Sequence, residues 1–129
     1  MKIAIIGSRD LTVDNLGDYL PEGVTEIVSG GARGVDRSAA DYAERHGIKL
    51  TEFLPDYALL DQRIENTSDM IRNTEEQIAQ YADEALAFWD GSSKGTARTV
   101  LLFQKLGKKV TVIEMKKEVL GLSKSAGAE

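Results

Sequence analysis

The sequence predicts an α/β fold built on a doubly wound parallel sheet. Three observations predict it. Five short apolar runs alternate with helical patterns along the 129 residues. The first run, Lys2-Ile3-Ala4-Ile5-Ile6, is apolar almost throughout, as expected of a strand covered on both faces. Glycine-containing turns follow the first, second and fourth runs.

The elements follow in order. Gly7-Ser8-Arg9-Asp10 ends the first strand. A short helix is expected over about Val13 to Leu20, with Thr12 as N-cap and Pro21 beyond it. Thr25–Val28 reads as the second strand. A second helix runs from about Arg33 to Arg45, with Val35, Ala39, Tyr42 and Ala43 on one face and Gly47 as C-cap. Ile48–Leu54 is the third strand, stopped by Pro55. The stretch from Asp56 to Asn66 is the least regular, and a helical turn or lid is expected there. Thr67 or Ser68 caps a third helix carrying Met70, Ile71, Thr74, Ile78 and Tyr81. Glu84–Trp89 is the fourth strand, followed by the loop Asp90–Thr96. A fourth helix carries Ala97, Val100, Leu101, Phe103 and Leu106, and Gly107 closes it. Lys109–Ile113 is the fifth strand. Residues 1–114 form one domain in this reading, and 115–129 a polar tail with an unstructured end. Right-handed crossovers leave few arrangements. The expected one is a three-layer, Rossmann-like sheet of order 3-2-1-4-5, with helices on both faces.

Composition narrows the chemistry. The chain is 42% hydrophobic and 29% charged, an ordinary balance for a globular domain. It has no cysteine, which excludes disulfides, thiolate nucleophiles and cysteine metal sites. The formal net charge of −5 argues against broad nucleic-acid binding, which needs a basic face. The first apolar run is too short for a signal peptide and no segment approaches a membrane span, so a cytoplasmic protein without membrane contact is expected.

The sheet order gives the turns their meaning. Strands one, two and four are neighbours, so their C-terminal loops meet at one rim. Those loops are Gly7-Ser8-Arg9, Ser29-Gly30-Gly31-Ala32-Arg33-Gly34-Val35-Asp36, and Asp90-Gly91-Ser92-Ser93-Lys94-Gly95-Thr96. Glycines allow close backbone approach, and a helix N-terminus with Arg33 beside it suits an anion. Arg9, Arg33 and Lys94 are expected to neutralise phosphate. Ser8, Ser29, Ser93 and Thr96 offer hydroxyls, and Asp36 or Asp90 a contact to ribose. Arg37 and Arg98 lie in the first turns of their helices, where a cation opposes the dipole and a bound anion offsets it. The bland reading of these two is a solvated surface. The long loop is not the dinucleotide fingerprint, which has glycine at the position of Ser29, and no Walker lysine follows it. Ordinary NAD and ATP-hydrolysing roles are therefore weak.

Taken together, Gly7-Ser8-Arg9, Ser29 through Asp36, Arg72-Asn73, and Phe88-Trp89-Asp90-Gly91 through Gly95-Thr96 resemble the SLOG superfamily of Smf/DprA-like and LOG-like Rossmannoid proteins. The likeness is greatest to the small single-domain bacterial and phage members of the YspA, cpYpsA-related branch. It spans about residues 1–113, and the long second motif is its most specific part. The resemblance implies a Rossmann-like domain that binds a nucleotide or nucleotide-derived ligand between the three loops. A binding module that senses such a ligand is the leading expectation. It brings in Arg72 and Asn73, which spacing alone would leave on a solvated helix face. The LOG branch contains phosphoribohydrolases that cleave nucleoside 5′-monophosphates. Their site uses a helical Arg, here Arg72, and a Glu three residues after Gly-Thr, here Thr99. Without that carboxylate, Asp36 and Asp90 are the candidates to stabilise a ribosyl cation or activate water. The DprA branch binds single-stranded DNA, but the basic balance and extra domains expected for that are missing. LOG-like relatives commonly form dimers, so a homodimer is an expected partner state.

Other features point less sharply. His46 ends a helix, where its charge suits the dipole. Trp89 reads either as a base-stacking ring or as a core aromatic. Glu75, Glu76 and Gln77 are expected on a solvated face. Asp36 and Asp90 could hold magnesium through a phosphate or simply order their loops, and no metal-ligand spacing is present.

Overall fold

The computed structural model describes residues 1–31, 34–54 and 67–115. Five strands form one parallel sheet: β1 (Lys2–Gly7), β2 (Glu26–Ser29), β3 (Lys49–Glu52), β4 (Glu84–Trp89) and β5 (Val110–Glu114). The order is β3-β2-β1-β4-β5, as the sequence predicts. Three α-helices lie among the described residues: α1 (Val35–His46), α2 (Thr67–Tyr81) and α3 (Lys94–Lys105). The sheet is sandwiched between α1 on one face and α2 with α3 on the other, giving the three layers of a Rossmann-like α/β fold.

Alternation along each strand explains the two cores. Ile3, Ile5, Ile27, Leu86 and Phe88 pack with Val35, Ala39 and Ala43 of α1. On the opposite face, Ala4, Val28, Ala85 and Ala87 meet Ile78, Ala79 and Phe103. The alanines there leave room for two helices to approach the sheet closely. Gly47 closes α1 as expected, in the left-handed conformation at φ +65°.

The expected helix over Val13 to Leu20 is reduced to a three-residue 3₁₀ turn, Leu16–Asp18. Leu11, Val13 and Leu16 are buried in the core, with Leu20 packed against them. The Val13 amide donates to Ser38 Oγ at 3.0 Å, which ties this segment to α1. The other boundaries move by a few residues: β2 and β5 each start one residue later, and β3 is the shorter Lys49–Glu52. The expected turn or lid over 56–66 and the tail beyond 115 lie outside the described residues.

The end of the sheet where β2 begins is fastened by two polar devices. Glu26 is 7% exposed and accepts from Thr51 Oγ1 at 2.5 Å and Tyr81 Oη at 2.6 Å, with Lys49 Nζ 3.8 Å from its other oxygen. The Thr51 and Tyr81 hydroxyls hold this carboxyl below its ordinary value against the opposing effect of burial, with smaller help from Lys49 and Lys2. The same hydrogen bond to Glu26, with burial, raises the Tyr81 phenol. Lys2 Nζ sits 4.0 Å from the centroid of the Tyr81 ring, a cation–π contact. In the second device, Lys108 Nζ donates to the carbonyls of Ala79, Gln80 and Ala82, each at 2.8 Å. It places a cation where the α2 dipole is negative.

Two outcomes follow for stability. Lys108→Met should lower the unfolding free energy by about 1–3 kcal/mol, read by urea denaturation, because it leaves helix-end carbonyls without a charged donor. A depressed carboxyl stabilises the fold above its unfolded value and loses that contribution as pH falls through the folded one. Stability should therefore decline below about pH 4.3, and Glu26→Gln should flatten that part of the profile.

Candidate functional site

The site starts from backbones that cross at the C-terminal ends of β1 and β4. Gly7 lies opposite Phe88 in the sheet. A Cβ at Gly7 would lie 2.5 Å from the Phe88 carbonyl oxygen and 2.6 Å from Val35 Cγ2, so only glycine fits. The Ser8 amide donates to Phe88 O at 3.2 Å. The Ser8 carbonyl accepts from the Leu11 amide at 3.4 Å and the Val35 amide at 3.3 Å. Gly34, the N-cap of α1, has φ +75°, and a Cβ there would lie 2.3 Å from Arg9 O. The turn after β2 thus wraps onto the turn after β1, and both glycines are required by close approach.

Each remaining loop is ordered by its own polar groups. Fully buried Ser29 accepts the Gly31 amide on Oγ at 3.2 Å, while its carbonyl accepts from Phe53 N at 2.9 Å. Asp36, in the first turn of α1, faces Gly30, where an added Cβ would lie 3.2 Å from Asp36 Oδ2. Arg33 lies outside the described residues. After β4, Asp90 Oδ1 accepts from the amides of Ser92 and Ser93 at 2.9 Å each and from Ser92 Oγ at 3.2 Å. The Ser92 amide, then the Ser93 amide, hold this carboxyl below the usual range, with the Ser92 and Ser8 hydroxyls adding less and burial opposing. The Ser8 hydroxyl lies near that carboxylate without completing a hydrogen bond of good geometry. The Trp89 indole N–H donates to Ser93 O at 2.9 Å, which gives this ring a loop-bracing role.

The loop after β4 is shorter than the sequence suggests. Helix α3 begins at Lys94, so Lys94, Gly95 and Thr96 form its first turn. Ser93 is the reason. As N-cap it accepts the Thr96 amide on Oγ at 3.4 Å, and the two hydroxyls lie 3.1 Å apart.

These loops, with α2, line a cleft of about 540 Å³. Gly7 and Arg9 come from the first loop, Gly30, Gly31 and Asp36 from the second, and Ser93, Gly95 and Thr96 from the third. Ile6, Leu54, Ile71 and Ile78 form an apolar wall, and Thr74, Glu75, Arg98 and Thr99 complete the lining. Ser8, Ser29, Gly34, Asp90, Gly91 and Lys94 are not in the lining and shape the loops from behind or stand outside. Arg72 and Asn73 are exposed on α2 and are likewise not among the lining residues.

Sequence reasoning missed one pair. Glu75 is not on a solvated face: its side chain is 12% exposed and forms a two-pronged ion pair with Arg98, Nε to Oε1 and Nη2 to Oε2, both 3.2 Å. The signal was present in the spacing. Ile71, Glu75 and Ile78 stand at i, i+4 and i+7, one face of α2. Thr99, at the position where the LOG pattern has Glu, donates its hydroxyl to Gly95 O at 3.0 Å, a bond back along its own helix. Among the described residues no group of three or more His, Asp or Glu side chains gathers to hold a metal ion. No helix among them is long and apolar enough to cross a membrane.

A parallel sheet of order 3-2-1-4-5 with a cleft at the β1/β4 switch point defines a Rossmannoid α/β protein. Residues 1–59 match the family model described as the YspA, cpYpsA-related SLOG family. This match supports a likeness to the YspA-related branch of the SLOG superfamily over that segment, which is less than half of the chain. The matched segment carries β1, β2, α1 and β3, and so two of the three cleft loops. No curated protein matches the chain.

Gly7→Ala and Gly34→Ala should each destabilise the fold by about 2–4 kcal/mol, because the added Cβ meets backbone atoms that cannot rotate away. Gly91→Ala has open space around its Cβ position and only its φ of +87° to oppose it, so it should cost about 1 kcal/mol, all three variants being read by urea denaturation.

Proposed function

We propose that the cleft binds a nucleotide or nucleotide-derived phosphorylated ligand, and that the chain acts as a binding module, with sensing of such a ligand as its role. The observation that carries this reading is the convergence of three glycine-bearing loops on one cleft at the switch point, with an apolar wall facing hydroxyls and cations. In this reading Ile71, Ile78 and Leu54 cover the flat, apolar part of the ligand. Arg9 and Arg33 neutralise phosphate, and Gly30, Gly31 and Gly95 let it approach the backbone. Asp36 accepts from ribose hydroxyls. Ser93 and Thr96 donate to phosphoryl oxygens. Asp90 works through the loop it orders, and Arg72, Asn73 and Lys94 stand at the margin. Magnesium, where the ligand brings it, is held through the phosphate. The domain boundary at 114, a cytoplasmic setting and a homodimer belong to the same proposal.

A second reading is N-glycosidic cleavage of nucleoside 5′-monophosphates. What favours it is the placing of two carboxylates, Asp36 and Glu75, in the cleft lining.

A thermal-shift panel of nucleosides, nucleoside mono-, di- and triphosphates and inorganic phosphate tests the first reading. At least one phosphate-bearing nucleotide should raise the melting temperature. Arg9→Ala and Arg33→Ala should each weaken binding by about tenfold, the loss of one charge-assisted contact. A panel in which no phosphate-bearing compound stabilises the protein would sink the proposal. Release of free base from a monophosphate, abolished by Asp36→Asn or Glu75→Gln, would replace binding with hydrolysis.

A further inference from the structure

The Glu75–Arg98 pair has a placement that packing alone does not call for. Glu75 comes from α2 and Arg98 from α3, and both line the cleft. Their two-pronged contact lies over the first turn of α3: an added Gly95 Cβ would be 3.5 Å from Glu75 Oε2 and 3.7 Å from Arg98 Nη2. That turn has no acidic residue of its own and carries Lys94 and Arg98 close to the positive end of the helix. Helix geometry leaves the Lys94 and Gly95 amides without intrahelical acceptors. One cation of the cleft lining, Arg98, is thus already answered by an anion of the protein.

We propose that Glu75 is a resident stand-in for the ligand's phosphoryl group, and that Arg98 exchanges the carboxylate for the phosphoryl group on binding. The inference rests on the nucleotide reading above and adds to it the control of the same cleft. The chemistry allows the exchange. A guanidinium offers the same fork to a carboxylate and to a phosphate. Arg98 is 45% exposed, so neither partner is sealed off from solvent. Empty, the cleft keeps Arg98 paired and a negative charge over the first turn of α3. Occupied, Glu75 turns to water, and the ligand must outcompete it. The carboxylate therefore lowers affinity for every phosphate-bearing ligand, and raises selectivity for those whose remaining contacts repay the displacement.

Calorimetric titration of the full chain with the four common ribonucleoside 5′-monophosphates and their parent nucleosides tests this. Glu75→Gln should bind monophosphates about tenfold more tightly than the wild type, with no gain for the parent nucleosides. Adding Arg98→Ala to Glu75→Gln should remove the gain. Equal or weaker monophosphate binding by Glu75→Gln, or an equal gain for the nucleosides, overturns the stand-in role while leaving the nucleotide reading intact. If neither chain binds any monophosphate, the nucleotide reading falls and this inference with it. Wild-type protein gives a second readout, independent of how the variants fold. The Arg98 Nε–H resonance should shift on adding a bound monophosphate and stay in place with its nucleoside, and the absence of that shift at saturation also overturns the exchange.

Discussion

The fold turns on the backbone crossing at Ser8. The main chain of this one residue joins three elements: its amide goes to β4, and its carbonyl receives α1 and the turn that follows β1. Two glycines make this possible, because a methyl group at Gly7 or Gly34 would overlap main-chain oxygen. A parallel sheet of this order must reverse its winding between β1 and β4, and the gap that opens there is where a ligand fits. Here the gap is given a fixed floor. The loops after β1 and β2 are held against each other, and the β4 loop is braced separately by Asp90 and the Trp89 indole. The cleft is thus formed by main-chain packing before any ligand contact is considered.

What the sequence reveals follows from how local each cause is. The buried strands were legible because their apolar runs depend on nothing but being covered on both faces. Helix α1 was legible from its periodicity and Gly47. The loop cluster was legible because strand order alone brings those loops together. The stretch from Val13 to Leu20 was misread for the opposite reason. Val13, Leu16 and Leu20 have the spacing of a helical face, while the segment is tied to a residue far along the chain, Ser38. The start of α3 was misread because Ser93 caps it, while the eye goes to the glycine that follows. Glu75 was missed because three polar residues in a row look like a wet surface. Only the angular position of the first one, beneath Ile71 and above Ile78, separates it from its neighbours.

The cleft is also more evenly charged than its sequence suggested. Arg9 and Arg98 line it together with Asp36 and Glu75. A strongly positive hole would accept any polyanion, whereas a site that mixes carboxylates with cations distinguishes ligands by where they present charge and where they present hydroxyls. This fits a chain of formal charge −5, in which long-range attraction of anions is weak and short-range geometry must decide.

Lys108 has a mechanical side. It ties down the C-terminal end of α2 at three carbonyls, and Tyr81 is held there by Glu26. The residues that α2 offers to the cleft, Ile71, Thr74 and Glu75, stand toward its other end. A helix of 15 residues is about 22 Å long, so a tilt of about 5° around the fastened end moves the far end by about 2 Å. The anchor converts α2 into a lever with its fulcrum outside the cleft. The width of the cleft is then set by an angle fixed on the opposite rim of the sheet.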